Sequence, residues 1–268
     1  MSNRNAILGW IEGAGIPHVG IAYRKGEKTF FLEPDREFHA ASMMKVPVMF
    51  EAFRQDASDS LRLDDHLMIE NRFSSIFDGS EFSLNVEDDS EKTLYELLGE
   101  RVPVRDLVEL MITESSNLAT NMLIKRFGTS SIADSMKAWG IEGSKVVRGV
   151  EDGKAYRAGL NNTMTARSYL AMMDRLLVGE VVSRAASDEI LAILSRQKLN
   201  EAIPKGLPSG TRVAHKTGWN TDIFHDGGVV YEGEIPSFSL AVFTKGAATK
   251  ADAQGFGAEL TRRLSDLD

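Results

Sequence analysis

Residues 39–50 read H-A-A-S-M-M-K-V-P-V-M-F. One lysine, Lys45, stands in an otherwise apolar run of Met43, Met44, Val46, Val48, Met49 and Phe50, with Ser42 three residues before it. Such a run belongs in a core, where an unpaired ammonium is costly and tends to lose its proton. Ser42 and Lys45, at i and i+3, share one face at the start of a helix. An uncharged Lys45 is a base for the Ser42 hydroxyl, and the unpaired N–H groups of the helix N-terminus favour the oxyanion that an attack creates. Pro47 has no N–H, so the helix has to begin close by or kink there.

Outward from this stretch, the pattern predicts a short helix over Asn5–Gly13 and a hairpin of two strands, His18–Arg24 and Lys28–Leu32, turning at Lys-Gly-Glu. Helical periodicity runs through Val104–Ile112, Asn117–Arg126, Thr165–Leu177 and Ser187–Gln197. After Pro204 three strand-like runs follow, Arg212–Lys216, Gly228–Tyr231 and Ser237–Thr244, and an amphipathic helix over Ala251–Leu264 closes the chain. Strands near both ends with helices between them predict an α/β (α+β) fold, in which one sheet is built from both termini and a helical domain is inserted. The division expected is an α/β domain from 1–40 and 205–268, a mostly helical domain from 41–204, and a site at their interface. Residues 56–92, rich in Asp, Ser and Glu, read as a long surface excursion.

S-x-x-K alone is a weak signal. A second copy, Ser195-Arg-Gln-Lys198, ends a predicted helix and reads as surface decoration. Two further elements narrow the coincidence. Ser115-Ser116-Asn117 lies in M-I-T-E-S-S-N-L-A-T-N, at the junction of two helical stretches, and Lys216-Thr217-Gly218 lies in V-A-H-K-T-G-W, at the end of a strand-like run. S-x-x-K, S-D-N and K-T-G, in that order, mark class A β-lactamases and penicillin-binding proteins. Through these segments and N-N-T-M-T-A-R-S the chain resembles the class A β-lactamase family of active-site serine hydrolases. The resemblance implies a five-stranded antiparallel sheet flanked by helices, beside a helical domain. It also implies roles. Ser42 resembles the acylated nucleophile, Lys45 its activating base, and Ser115 the relay of a proton to the leaving nitrogen. Asn117 resembles the amide that holds the substrate's side-chain carbonyl, while Lys216 and Thr217 resemble anchors for its carboxylate. Next to Gly218, the backbone N–H of Trp219 would complete an oxyanion hole with that of Ser42. Lys216 near Lys45 would help to keep Lys45 neutral.

The departures are specific. Ser116 replaces the family's aspartate, although serine still caps a helix N-terminus. The deacylating glutamate has its counterpart in Glu151, at a spacing from Asn117 that suits the family. The usual downstream Leu-Asn is missing, because Lys154 and Ala155 follow the glycine. Asp152 is the alternative base, and two solvated loop carboxylates are the plain reading.

Composition sets the outer bounds. A hydrophobic fraction of 43% and a charged fraction of 26% match an ordinary globular protein, and a net charge of −8 argues against nucleic-acid or anionic-membrane partners. Zero cysteines exclude thiolate catalysis and cysteine–zinc sites, and no His pair has HExxH spacing, so no metal is expected. No P-loop, G-x-G-x-x-G or G-x-S-x-G occurs, so no cofactor and no α/β-hydrolase elbow is expected. The first 25 residues show no secretory h-region, which points to the cytoplasm, or to the periplasm or exterior if a leader has been removed. The expected partner is a small-molecule substrate, a β-lactam or related amide or ester, taken by a monomer with a dimer left open. Two competing readings are a penicillin-binding or esterase-like relative that turns β-lactams over slowly, and a non-catalytic ligand-binding relative.

Overall fold

The computed structural model describes residues 3–267. Helix α1 (Asn3–Gly13) leads into β1 (His18–Lys25) and β2 (Lys28–Leu32), paired antiparallel across a tight turn. A 3-10 turn over Ala41–Met44 then feeds α2 (Lys45–Ala57). The helix thus begins at Lys45, and Pro47 falls in its first turn, where backbone N–H groups have no intrahelical partner and proline costs little.

Helices α3 (Val104–Thr113), α4 (Asn117–Phe127), α5 (Thr129–Ala138), the single-turn α6 (Gly153–Arg157), α7 (Ala166–Val178) and α8 (Arg184–Leu194) follow. Side chains set several of their starts. Thr165 and Ser168 form a reciprocal capping box on α7, and Ser183 caps α8. That cap starts α8 earlier than its apolar spacing suggests. The chain returns through β3 (Val213–Asn220), β4 (Ile223–Glu232) and β5 (Ile235–Lys245) and ends in α9 (Lys250–Ser265).

The sheet order is β3-β4-β5-β1-β2, and every neighbouring pair is antiparallel. Both faces are covered. Ile21, Tyr23, Val230, Leu240 and Val242 pack against Ile7 and Ile11 of α1 and Phe256, Leu260 and Leu264 of α9. On the other face Ala22, Ala214, Val229, Ala241 and Phe243 meet a core that includes α2, α3 and α7. Small residues on that face let a helix sit close. A Cβ on Gly227 would fall 2.6 Å from the Tyr169 ring atoms Cδ1 and Cε1. Covering on both sides explains why the strands read as apolar runs rather than as alternating patterns.

Residues 56–92 lie mostly at the surface, as their composition predicts, but the segment is anchored to the core. They bury Leu61, Leu63, Ile69, Phe73 and Leu84, pair His66–Met68 with Arg101–Pro103, and carry two buried acids, Asp89 and Glu91. The acid-rich composition hides these anchors, although Met68, Ile76 and Phe77 stay exposed. Among the described residues no helix is long and apolar enough to cross a membrane.

Candidate active site

Strand β3 is an edge strand, and its free edge faces the 3-10 turn that carries Ser42. Tyr231 N–H donates to Arg212 O at 3.0 Å, so antiparallel alternation turns the backbone groups of Thr217 and Trp219 away from β4 and toward that turn. Gly218 lets the two backbones meet, because a Cβ there would lie 3.0 Å from both Ser42 N and Met43 N. The N–H groups of Ser42 and Trp219 therefore approach one space. The Trp219 ring is exposed, with Lys250 Nζ 4.1 Å from its centroid.

Lys45 is fully buried. Its Nζ donates to Ser115 O at 2.7 Å, to Asn117 Oδ1 at 2.9 Å and to Ser115 Oγ at 3.2 Å. Burial pushes its pKa from an ordinary 10.5 to about 7, against the fields of Asp89 and Glu151, which raise it. Ser42, half-buried one helical turn earlier, makes no hydrogen bond to Lys45. An ammonium makes all three contacts, whereas the neutral amine keeps two hydrogens, which suit the two shorter ones and leave a lone pair to take a proton.

Ser115 joins the two lysines. Its Oγ accepts from Lys216 Nζ at 3.0 Å as well as from Lys45. Lys216 also donates to Thr217 O at 2.8 Å, and both Lys216 and Thr217 are buried. Burial drives the Lys216 pKa well down, the charge of Lys45 adds to this, and Asp226 opposes it. The expectation that Lys216 keeps Lys45 neutral is thus revised: burial is the first cause for both lysines.

Asn117 spans the site, its Oδ1 on Lys45 and its Nδ2 donating to Glu151 Oε1 at 3.2 Å. Glu151 also accepts from Asn85 N–H at 3.5 Å, and burial raises its carboxyl above the usual range. Asp152 has other work. Its carboxylate takes Ser75 Oγ at 2.7 Å, Ile76 N–H at 2.9 Å and Ala155 N–H at 3.0 Å, capping α6 and tying down the 75–76 turn. Burial alone would raise its pKa, but these bonds hold it below the ordinary value. The alternative base is therefore a structural anchor. The second S-x-x-K is peripheral too, with Lys198 exposed and paired to Glu114.

Three of these positions carry backbone strain. Ala41, Ser115 and Glu151 hold φ of 44°, 61° and 60°, a region that costs a non-glycine residue about 1–2 kcal/mol. At Ser115 this bend joins α3 to α4 and aims Ser115 O at Lys45.

Motif reading missed Asp89. Its carboxylate accepts from Asn117 N–H at 2.9 Å, Leu118 N–H at 2.9 Å and Tyr95 OH at 3.0 Å. It therefore occupies the N-terminus of α4, where a negative charge is favoured, while Ser116 Oγ caps Ala119 N–H at 3.2 Å. Ser90 Oγ, one residue on, donates to Glu114 O at 2.6 Å. Only the cluster Asp88-Asp89-Ser90-Glu91 signals any of this in the sequence. Replacing Asp89 by Ala leaves buried donors unpaired and is expected to cost about 1–3 kcal/mol in urea unfolding. Losing its field would also lower the Lys45 pKa further.

No metal-binding cluster of His, Cys, Asp and Glu occurs among the described residues. The Beta-lactamase enzyme family model matches residues 4–267. The β-lactamase from Sphaerobacter thermophilus DSM 20745 is 26% identical, with 98% of this chain and 95% of that one covered and a TM-score of 0.82. A β-lactamase from Chitinophaga pinensis DSM 2588 is similar at 21% identity, 98% coverage of both chains and a TM-score of 0.84. The structure of PBP-A is similar at 22% identity, 98% and 94% coverage and a TM-score of 0.81. No curated protein matches the chain. With the family model matched over nearly the whole chain, and its fold shared with these structures, the chain belongs to the β-lactamase enzyme family.

Proposed function

We propose that this protein is a serine hydrolase of class A β-lactamase type, opening a β-lactam amide through an acyl-enzyme on Ser42. One observation carries the reading. Lys45 is fully buried, has a pKa near 7 and lies one turn beyond a half-buried serine. Such an amine is neutral for much of the time near pH 7 and is a competent base.

In the acylation step the Ser42 oxygen forms a bond to the carbonyl carbon while its proton passes to the Lys45 nitrogen. The carbonyl electron pair moves to oxygen, where the N–H groups of Ser42 and Trp219 receive it. When the tetrahedral intermediate collapses, the C–N bond breaks and the nitrogen takes a proton from Ser115. Ser115 is resupplied through its contact with Lys45. Lys216 is the anchor for a substrate carboxylate, whose arrival would draw a proton back onto that lysine. Thr217 and Asn117 are assigned to substrate binding beside it.

Deacylation needs a water made nucleophilic, and Glu151 is the group assigned to it. Its raised pKa suits a base, and its contact with Asn117 puts it beside the same catalytic cluster. The substrate assigned is a small molecule, a β-lactam or related amide or ester.

The test is incubation with a chromogenic cephalosporin and with a penicillin, following colour and intact mass together. Turnover without accumulated adduct is expected. A persistent adduct on Ser42 would indicate a slow penicillin-binding relative instead, and neither signal would indicate a binding protein or another substrate class.

A further inference from the structure

Ala41 precedes Ser42 and sits at φ 44° with no side chain of its own to hold it there. Support comes from two residues back. His39 Nδ1 accepts the Ala41 N–H at 3.1 Å, and among the described residues this N–H has no other acceptor. His39 is itself fixed on three sides. Its carbonyl accepts from the buried His225 Nε2 at 2.9 Å, its backbone pairs with Thr163, and its ring meets the Tyr156 ring edge-on at 6.0 Å.

Arg148 Nη2 lies 3.2 Å from His39 Nε2. A neutral imidazole has one accepting nitrogen, so it serves either Ala41 or Arg148 but not both. Arg148 Nη2 has a second acceptor, Asn161 Oδ1 at 3.1 Å, whereas Ala41 has none. The tautomer that keeps the Ala41 N–H bonded accepts at Nδ1 and carries its proton on Nε2, facing the Arg148 guanidinium, while Arg148 Nη2 donates to Asn161 Oδ1.

We propose that His39 is a positioning residue for the nucleophile: by accepting the Ala41 N–H it holds the strained turn that aims the Ser42 backbone N–H at the developing oxyanion. The proposal rests on the reading of Ser42 as the nucleophile. The charged and titratable groups around the ring are Arg148, Tyr156, Asp222, Lys245 and His225. Burial first, then Arg148 and Lys245, lower the His39 pKa against the opposing charge of Asp222. The ring is therefore neutral, and able to accept, at pH 7.

Glycine enters positive φ unaided, so Ala41→Gly should make His39 dispensable. The experiment is a double-mutant cycle of wild type, His39→Ala, Ala41→Gly and the pair, with the Ser42 acylation rate by a penicillin and Tm read on each. His39→Ala is expected to slow acylation about 10-fold with Ala41 in place, since small misplacements at a reacting centre are costly. In the Ala41→Gly background the same change should cost less than about 2-fold. His39→Asn, whose side-chain oxygen accepts an N–H two residues on, should recover to within about 3-fold of wild type. Equal losses in both backgrounds, or no recovery by asparagine, would overturn the proposal. Tm carries a parallel test, with His39→Ala lowering it beside Ala41 but not beside Gly. If the wild type takes up no acyl group, the reading of Ser42 fails, while the Tm cycle still decides whether His39 holds the turn.

Discussion

Replacing Lys45 by methionine should lower the rate of Ser42 acylation by between about 10² and 10⁴, the range for losing a positioned general base. The fall should appear in kcat/KM for a cephalosporin and in the rate of adduct formation measured by mass. Wild-type acylation should rise with pH through about 7 as Lys45 loses its proton, and the methionine variant should lack that limb.

Stability should report the same group with a definite sign. Lys45 has a folded pKa near 7, below its unfolded value near 10.5, so between these values the unfolded chain holds the extra proton. Its favourable contribution is fully present above pH 10.5, shrinks as pH falls, and is gone below about 7. Wild-type stability relative to Lys45→Met should therefore rise by up to about 1.4 kcal/mol per pH unit across that window. A difference independent of pH in urea unfolding would mean that Lys45 keeps its proton throughout.

Replacing Glu151 by glutamine should leave acylation within a few-fold of wild type and slow deacylation by about 10²–10⁴, so the acyl-enzyme accumulates. The reason is geometric. Glutamine retains an oxygen to accept from Asn117 Nδ2 but cannot take a proton from water. In the wild type, deacylation should fall as pH drops through a value above the ordinary carboxylate range, because burial raises the Glu151 pKa. A Glu151→Gln protein that turns over normally, with no adduct, would remove Glu151 from the mechanism.

Much of this was legible from local pattern. Apolar periodicity marks α3, α4 and α7 because each buries one stripe, and the hairpin of β1 and β2 shows through its turn residues. Ser42, Lys45, Ser115, Asn117 and Lys216 are visible because they lie in short motifs whose order is informative; the last four meet in one hydrogen-bonded cluster, and Ser42 lies one turn before Lys45. Strand ends were harder to read. β3 continues past Lys216 to Asn220, since pairing with β4, and not its own propensity, sets its length. Asp89 and His39 belong to no motif. Asp89 acts on a helix start far along the chain, and His39 through a backbone angle at Ala41, and neither relation leaves a fixed spacing to read. Asp152 shows the converse. In sequence it is a carboxylate beside Glu151, open to the role of a base, whereas in the fold three donors occupy it.

The most direct test of the central claim is peptide mapping by mass spectrometry after a penicillin is added to Glu151→Gln and to the same protein carrying Ser42→Ala. Expected is one adduct with the mass of the intact penicillin, on the peptide containing Ser42, and none once that serine is alanine. An adduct that persists without Ser42, or maps to any other residue, would contradict it.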